Sequence, residues 1–365
     1  MKCKESITLS DIMVRENNNF DLMRLFASVT VIFGHSFYLF DTGGYSEPVT
    51  LIIRKNFSGT LAVGVFFFLS GILISHSFIR SRVFYRFVLM RIARIYPGTL
   101  VCLFIVAFIL GPIATSNSLL DYFSNPQVYC YIRSSWSFTH LFPEWATCSS
   151  LPGVFAENRL KYAPNGSLWT LYPEVVCYAF VFVLGMAGFL KSRWRIIATI
   201  ISILVLHTLN PKLIPYFSDD HYTDFLKVGL FFLAGVSAYA LRDVLTLRFS
   251  YAAILSICAI FLQKTVIEEY ALYIALFYIV LLLSSSPKIR KIKLSGDYSF
   301  GVYIYGWPIQ QTIYHFFPNI TSYPSNLICI PMALIAGYFS WNLIERPVLM
   351  AASSISTVDL PLKNS

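Results

Sequence analysis

The chain of 365 residues is 56% hydrophobic and only 13% charged, and its mean hydropathy is +0.63. Soluble domains average about 25% charged residues, so this composition excludes an ordinary soluble protein and indicates lipid as the main solvent. The net charge of +9 does not indicate nucleic-acid binding, because the basic residues stand between apolar runs, where membrane topology explains them.

Ten apolar runs are long enough, or nearly so, for the roughly 20 residues of a membrane-spanning helix. The sequence therefore predicts an all-α, polytopic membrane protein, with one transmembrane domain over residues 1–350 and a short polar tail over 351–365. The first run contains charged residues and no cleavage site follows it, which indicates a retained helix rather than a signal peptide. The ten runs cover residues 22–40, 57–79, 95–113, 167–189, 194–210, 224–241, 249–263, 268–285, 297–316 and 324–344.

The distribution of Lys and Arg predicts the orientation of these helices. With the N-terminus in the cytoplasm, most of the 28 Lys and Arg residues fall in segments on the cytoplasmic side, as the positive-inside rule requires. Ten helices then place both termini in the cytoplasm.

Residues 114–166 form the one long loop of the sequence, and this topology puts the loop outside. Cys130 and Cys148 both lie in it, and they pair if the outer compartment is oxidising; two free thiols are the alternative. No cysteines have the spacing of a metal site. The loop also contains aromatic residues that either stack on sugars or rest on lipid headgroups: Tyr122, Tyr129, Tyr131, Trp136, Trp145 and Tyr162.

The first apolar run contains two ionisable residues, Arg24 and His35, which are eleven residues apart. At about 100° per residue they share one helical face, and the helical rise puts His35 roughly 16 Å deeper than Arg24. An ionisable residue at that depth normally faces the bundle interior or a wet cavity. His35 is either a general base that removes a proton from a hydroxyl or a structural histidine that bonds a neighbouring helix.

Arg91 and Arg94 are neighbours on one helical face, because they are three residues apart. Two guanidinium groups side by side can bind phosphate, which suits a nucleotide-bearing donor such as coenzyme A. The alternative is that they only anchor the topology. Glu174 follows Pro173 near the outer end of the fourth run. Its carboxylate either orients a hydroxyl or His35, or is simply solvated at the membrane interface.

Five segments, taken in order, resemble the membrane-bound acyltransferase family 3, which includes O-antigen, exopolysaccharide and Nod-factor O-acetylating enzymes. The resemblance covers residues 20–348. The segments are FDLMRLFASVTVIFGHS, FFFLSGILI with RIARIYP, NGSLWTLYPEVVCY, DYSFGVYIYGWPIQ and WNLIERPV.

The resemblance implies roles for individual residues. The family's Arg–His pair, thought essential, corresponds to Arg24 and His35, and its paired arginines correspond to Arg91 and Arg94. The Glu after its Leu-Trp-x-Leu motif corresponds to Glu174, and its terminal Glu-Arg-Pro begins here at Glu345. The expected catalytic residues are His35, Arg24 and Glu174, and the expected donor-binding residues are Arg91 and Arg94.

The implied function is transfer of an acyl group, expected to be acetyl, from acetyl-coenzyme A to a hydroxyl of a cell-envelope or secreted polysaccharide or its lipid-linked precursor. No metal is expected. The expected location is the bacterial inner (plasma) membrane, with membrane lipid and polysaccharide-assembly proteins as partners. A small-molecule or glycopeptide acceptor is a further alternative, and a transporter or flippase without acyl-transfer chemistry is the alternative from another class.

The sequence departs from the family pattern at two places. Cys177 precedes Tyr178 where many members have Phe-Tyr, and Gly306 stands where many have a histidine, which puts any second-histidine role in doubt. The chain is also expected to lack the SGNH-type hydrolase domain that is fused to some relatives.

Overall fold

The structure is a computed structural model that describes residues 7–53, 56–81, 83–137, 148–209, 219–265 and 267–358. Within those residues it is helical, without a β-strand, and a helix occupies each of the ten predicted apolar runs. The helices, in chain order, are α1 (Phe20–Leu39), α2 (Pro48–Ile52), α3 (Ser58–Arg80), α4 (Phe84–Ile105), α5 (Gly111–Ala114), α6 (Leu119–Ser124), α7 (Pro126–Ser137), α8 (Leu171–Met186), α9 (Arg193–Leu209), α10 (Asp219–Ala240), α11 (Phe249–Phe261), α12 (Glu268–Ser285), α13 (Pro287–Arg290), α14 (Ser299–Phe316), α15 (Ser322–Ser340) and α16 (Arg346–Val358).

Six helical stretches among the described residues are long and apolar enough to cross a membrane, so the predicted all-α, polytopic class is confirmed in that coarser form. Two further apolar stretches, in α10 and α11, are shorter. The count of ten spans and the cytoplasmic position of both termini stay predictions. The six stretches are Phe20–Leu39, Ser58–Arg80, Phe84–Ala114, Gly166–Met186, Glu268–Ser285 and Ser322–Ile355.

Two of the long stretches contain a π-helical turn, which is uncommon and often marks a functional site. The first, Val106–Leu110, joins α4 to α5, and the second, Trp341–Glu345, joins α15 to α16. α4 also begins at Phe84, well before the predicted start at residue 95, so Arg91 and Arg94 lie within the helix. α16 continues into the segment predicted to be a tail.

The chain has two compact units, and α1, α3 and α8 each contribute residues to both. Unit 1 comprises residues 1–27, 61–82 and 176–295, and unit 2 comprises residues 28–60, 83–175 and 296–365. The prediction of a single transmembrane domain stays a prediction.

In unit 1, α3 and α10 approach until their backbones touch. A Cβ added at Gly71 would lie 2.2 Å from the carbonyl oxygen of Phe232, and one added at Gly235 would lie 2.0 Å from that of Phe68. Small residues commonly permit such crossings between membrane helices. Phe68 also stacks on Phe277 of α12, with ring centroids 4.3 Å apart.

In unit 2, α14 is the central helix, and most of its residues are buried, including Gln310 and Gln311. It crosses α15 closely at Gly301 and Gly337. The part of α1 that belongs to unit 2, from Ser28 onward, is held by side-chain hydrogen bonds to α14 and α15. Ser28 donates to the carbonyl of Ser299, Gln310 donates to the carbonyl of Ile32, and Asn326 donates to the Ser36 hydroxyl.

Candidate functional site

His35 lies on the part of α1 that belongs to unit 2, in an aromatic surrounding. Its ring centroid is 4.9 Å from that of Trp307 on α14, and the two planes meet at 82°, an edge-to-face contact. The Phe57 ring lies further away, with centroids 6.5 Å apart. Neither ring nitrogen of His35 has a hydrogen-bond partner in the described part of the chain. The position of the histidine is therefore set by packing against these aromatic rings.

Residues 158–165, which we call the clasp, connect the outer loop to α14 by hydrogen bonds. The Trp307 indole N–H donates to the Ala163 carbonyl at 2.9 Å. The Gln311 side chain donates to the carbonyls of Leu160 and Ala163, and the Asn158 side chain donates back to Gln311. Trp307 thus contacts His35 with its ring and the clasp with its N–H.

Two further side chains hold the ends of the clasp. Arg159 donates to the carbonyl of Phe40, which follows α1. Asn165 donates to the carbonyl of Ile304 in α14, and its side-chain oxygen accepts from the Ser167 N–H at the start of the short 3-10 helix Gly166–Thr170. The NGSLWTLYPE motif therefore begins with a residue that joins the clasp to α14.

Glu174 lies in the first turn of α8, directly after that 3-10 helix, and is partly buried. It lies within electrostatic range of Tyr303 on α14, whose hydroxyl hydrogen-bonds Thr170 at 2.8 Å. The sequence prediction that Glu174 orients His35 or an acceptor has no direct test in this geometry, and it stays a prediction.

Arg94 forms two buried ion pairs inside unit 2. Its guanidinium group lies 2.5 Å from Asp297 and 2.9 Å from Glu345. The Glu345 side chain is 0% exposed and accepts a further hydrogen bond from Ser340. Asp297 also accepts from the Ser299 hydroxyl and backbone N–H. Both partners of Arg94 are therefore carboxylates of the chain itself. One of them, Glu345, is the first residue of the Glu-Arg-Pro motif.

Arg24 and Arg91 contact aromatic rings near the limit for a cation–π interaction. The Arg24 guanidinium lies 6.0 Å from the Phe66 ring centroid in unit 1. The Arg91 guanidinium lies 5.8 Å from the Phe87 ring centroid in unit 2. Arg24 and His35 lie on one continuous helix, as predicted. The catalytic and donor-binding roles of these residues are untested by the geometry.

Gly306, at the position where many family members have a histidine, packs closely against α1. A Cβ at Gly306 would lie 2.7 and 2.9 Å from the side-chain carbons of Ile32 on α1. A larger residue at this position therefore requires the Ile32 side chain, α1 or α14 to shift. A histidine does not fit without such a shift.

The structure forms a disulfide between Cys130 and Cys148, which were predicted to be either paired or free. Two tyrosines of the loop are buried, so the interpretation of Tyr122 and Tyr131 as stacking faces is wrong. Burial raises the pKa of both phenols, which keeps them neutral. Tyr129 and Tyr162 are exposed and remain available. The Trp136 side chain and Trp145 lie outside the described residues.

Sequence reasoning did not identify Trp307, Gln311 or Asp297 as site residues. Trp307 and Asp297 both lie in the quoted segment DYSFGVYIYGWPIQ, but their partners are more than a hundred residues away in the chain. The sequence did carry one signal for such residues, namely a polar residue, such as Gln311, within an apolar run. Within the described residues, no group of three or more His, Cys, Asp or Glu side chains is placed to bind a metal.

The long apolar helices among the described residues define the class as a helical membrane protein. The sequence profile of the acyltransferase domain matches residues 17–344. The chain therefore belongs to the membrane-bound acyltransferase family 3 and is an acyltransferase, which decides against a transporter without acyl-transfer chemistry.

Two curated proteins show how the chain is related to known ones. It is 29% identical to the O-acetyl transferase of Shigella phage Sf6 over 354 residues, 95% of this chain and 100% of that protein. It is also 29% identical to nodulation protein 10 of Rhizobium leguminosarum bv. viciae over 183 residues, 49% of this chain and 46% of that protein. No solved structure matches the chain.

Proposed function

We propose that the chain transfers an acetyl group from acetyl-coenzyme A to a hydroxyl of a cell-envelope or secreted polysaccharide, or of its lipid-linked precursor. The observation that carries this proposal is His35, which is held beside Trp307 with no intramolecular hydrogen bond to its ring nitrogens among the described residues. Family membership supports the acyl transfer, and the similarity to a phage O-acetyl transferase supports acetyl and an oxygen acceptor.

In the proposed reaction, the acceptor hydroxyl oxygen attacks the carbonyl carbon of the acetyl thioester. The imidazole of His35 takes the hydroxyl proton as the new C–O bond forms. The C–S bond then breaks, and the thiolate leaves with the proton returned by the imidazolium. Free coenzyme A and the acetyl ester are the products, and the histidine returns to its neutral form.

The other residues are proposed to position the reactants. Arg24 binds a donor phosphate or orders the site, and Glu174 orients the acceptor or His35. Arg91 contributes to donor binding, whereas the guanidinium of Arg94 is engaged by Asp297 and Glu345. We assign Arg94 a structural role, which is to hold Asp297 and Glu345 together in unit 2. Of the two arginines, Arg91 is then the one proposed to contact the donor.

The disulfide in the outer loop supports the proposed location in a bacterial inner membrane. Disulfides persist in oxidising compartments such as the periplasm and are rare in the cytosol. With Cys130 and Cys148 in the periplasm, the clasp faces the compartment where envelope polysaccharides are assembled. Acetyl-coenzyme A enters from the cytoplasm.

The test is mass spectrometry of envelope glycans from cells that express the wild-type chain, His35→Ala, or no chain. The acetyl modification is expected with wild type only, while His35→Ala inserts into the membrane normally. His76→Ala is the matched control, since His76 also lies in an apolar helix but is not proposed to react. Normal acetylation by well-expressed His35→Ala would overturn the general-base role.

A second measurement separates direct transfer from a two-step route through an acetyl-histidine. Purified protein is mixed with acetyl-coenzyme A without acceptor, and its intact mass is measured at once, because an acetyl-imidazole hydrolyses during a digestion. An added acetyl group that is absent in the His35→Ala protein indicates the two-step route. Its absence, in protein that acetylates an added acceptor, indicates direct transfer.

A further inference from the structure

Unit 1 contains a cavity of about 540 Å³ at the start of α1. Its walls are the N-terminal residues 13–21, Leu73 of α3 and the residues that follow α12, up to Leu294. Sites for small molecules and cofactors typically enclose about 300–1,000 Å³, so the volume is that of a ligand site.

Hydrogen bonds join the two polar walls of the cavity, the N-terminal residues and the residues that follow α12. The Asn19 side chain donates to the carbonyls of Ile289 and Ile292, and the Asn19 N–H donates to the carbonyl of Ser284. Arg290 donates to the Glu16 carbonyl and to the Asn17 side chain. These bonds fix the backbone around the cavity, so a ligand finds it largely preformed.

The lining combines three kinds of group. Arg15, Arg290 and Lys293 are cationic, and Glu16 and Asp21 are anionic. The Arg290 Nε atom is buried and has no hydrogen-bond partner in the described part of the chain. Asp21 pairs with Arg15 at 3.2 Å, an exposed contact that contributes little by itself.

Apolar side chains, those of Phe20 and Leu73 among them, complete the lining. A nucleotide needs this combination: cations for its phosphates, carboxylates to accept from its amino and hydroxyl groups, and an apolar surface for its base. The positive-inside prediction puts both the N-terminal segment and residues 286–293 on the cytoplasmic side, where nucleotides are found.

We propose that this cavity binds the 3′-phospho-ADP group of the acyl-coenzyme A donor, with Arg290 and Lys293 at the phosphates. The inference rests on the proposed function, because it takes its ligand from that reaction. The cavity also offers cations for the donor phosphates, whereas the Arg94 guanidinium group is held in two ion pairs. α1 begins at this cavity with Phe20 and Asp21 and carries Arg24 one turn further on.

The test is the binding of coenzyme A and of 3′-dephospho-coenzyme A to the purified full-length chain in zwitterionic nanodiscs, measured by calorimetry. Lys293→Gln and Arg290→Gln/Lys293→Gln are expected to bind coenzyme A at least about tenfold more weakly, because each removes a charged hydrogen-bond donor. The preference for coenzyme A over the dephospho form is expected to shrink in the same variants. Lys288→Gln/Lys291→Gln is the matched control, since it removes two charges from the same turn outside the lining.

The outcomes separate this inference from the proposed function. Wild-type affinity in Lys293→Gln and in the double variant overturns the cavity assignment and leaves acetyl transfer standing. Wild-type protein that binds no coenzyme A overturns the assignment and the proposed donor together. A lipid phosphate would also suit these cations, so binding is repeated in nanodiscs with phosphatidylglycerol. Unchanged affinity for coenzyme A supports the nucleotide, whereas loss of binding through competition identifies a lipid-headgroup site and overturns the proposal.

Discussion

Trp307 is the residue that joins the proposed catalytic histidine to the clasp. Its ring packs edge-to-face with His35, and its N–H donates to the Ala163 carbonyl in the clasp. The close contact continues at Gly166, where an added Cβ would lie 2.6 Å from the indole ring. Movement of the clasp therefore changes the position of the indole and, with it, the packing of His35.

We predict that Trp307→Phe lowers kcat about two- to tenfold, the effect expected from one lost neutral hydrogen bond that positions the ring. Trp307→Ala is expected to lower kcat further, because it also removes the ring packed on His35. The Michaelis constant for acetyl-coenzyme A should change little in either variant. Initial rates in proteoliposomes, with thermal unfolding of each purified variant, provide the measurement.

Gln311 provides the control for that prediction. Its side chain also donates to the Ala163 carbonyl, but it has no aromatic ring to pack against His35. If clasp attachment alone matters, Gln311→Ala should lower kcat at least as much as Trp307→Phe, because it removes more hydrogen bonds to the clasp. A kcat for Trp307→Ala equal to that of wild type contradicts the positioning role.

At the scale of elements, the Arg94 cluster links α4 to the start of α14 and to the π-turn after α15. One arginine serves two carboxylates, and the Glu345 side chain is fully buried. Removing one partner of a buried ion pair typically costs about 3–5 kcal/mol, because the remaining charge is buried without compensation. The cluster thus makes the local fold of unit 2 depend on Arg94.

Arg94→Ala is therefore expected to lower the thermal stability of the purified protein and its yield in the membrane. Arg94→Lys should do so less, since it keeps the charge but loses the fork that bonds both carboxylates. Adding Glu345→Gln to Arg94→Ala is expected to recover part of the lost stability, because it neutralises one of the unpaired carboxylates. Arg94→Ala with wild-type melting temperature would show that the cluster is dispensable.

At the same scale, a single disulfide bond constrains the outer loop. Cys130 in α7 is bonded to Cys148 across a sequence separation of 18 residues. Gln127 reinforces the bond by donating to Ser150. In the chain-entropy model, closing a loop of this length contributes roughly 3 kcal/mol. That amount is enough to order a surface loop but not to decide whether the helices insert.

We predict that Cys130→Ser lowers activity or changes acceptor preference without blocking membrane insertion. Labelling of intact cells with an impermeant maleimide checks the bond itself: the wild-type loop should label only after reduction, and Cys130→Ser should label at Cys148 directly. Cys258→Ser is the control, because Cys258 is exposed and unpaired in the described structure. Full labelling of the wild-type loop without reductant contradicts the bond.

The sequence predicts the positions of the helices well, because an apolar run of membrane length is a local property. The contacts that build the site are long-range and were not predictable: Arg94 meets Glu345 across 251 positions, and Trp307 meets Ala163 across 144. Burial of Tyr122 and Tyr131 was missed for the same reason, since a polar loop sequence does not reveal what its tyrosines pack against. The π-turn before Arg346 has no local sequence signal that we recognise.

At the scale of the whole molecule, the number of helices that cross the membrane depends on α10 and α11. α11 has 13 residues, which span only roughly 20 Å of a hydrocarbon layer about 30 Å thick. The positive-inside pattern nevertheless puts the turn between α10 and α11 inside and the turn after α11 outside. Ten spans require α10 and α11 both to cross, and the short α11 can do so only where the bilayer thins locally, because tilt would reduce the distance that it spans.

The last prediction tests that requirement with single cysteines in exposed turns of the full-length chain. Asp243→Cys lies between α10 and α11, and Lys264→Cys lies between α11 and α12; both positions are exposed. Ten spans predict that impermeant maleimide added to intact cells labels Lys264→Cys but not Asp243→Cys, relative to the parent chain. Lys191→Cys and Lys291→Cys, which are also exposed, are predicted inside and should label only after the membrane is opened. If Asp243→Cys labels in intact cells together with Lys264→Cys, then α10 and α11 do not cross, and the chain has eight spans with both termini still in the cytoplasm.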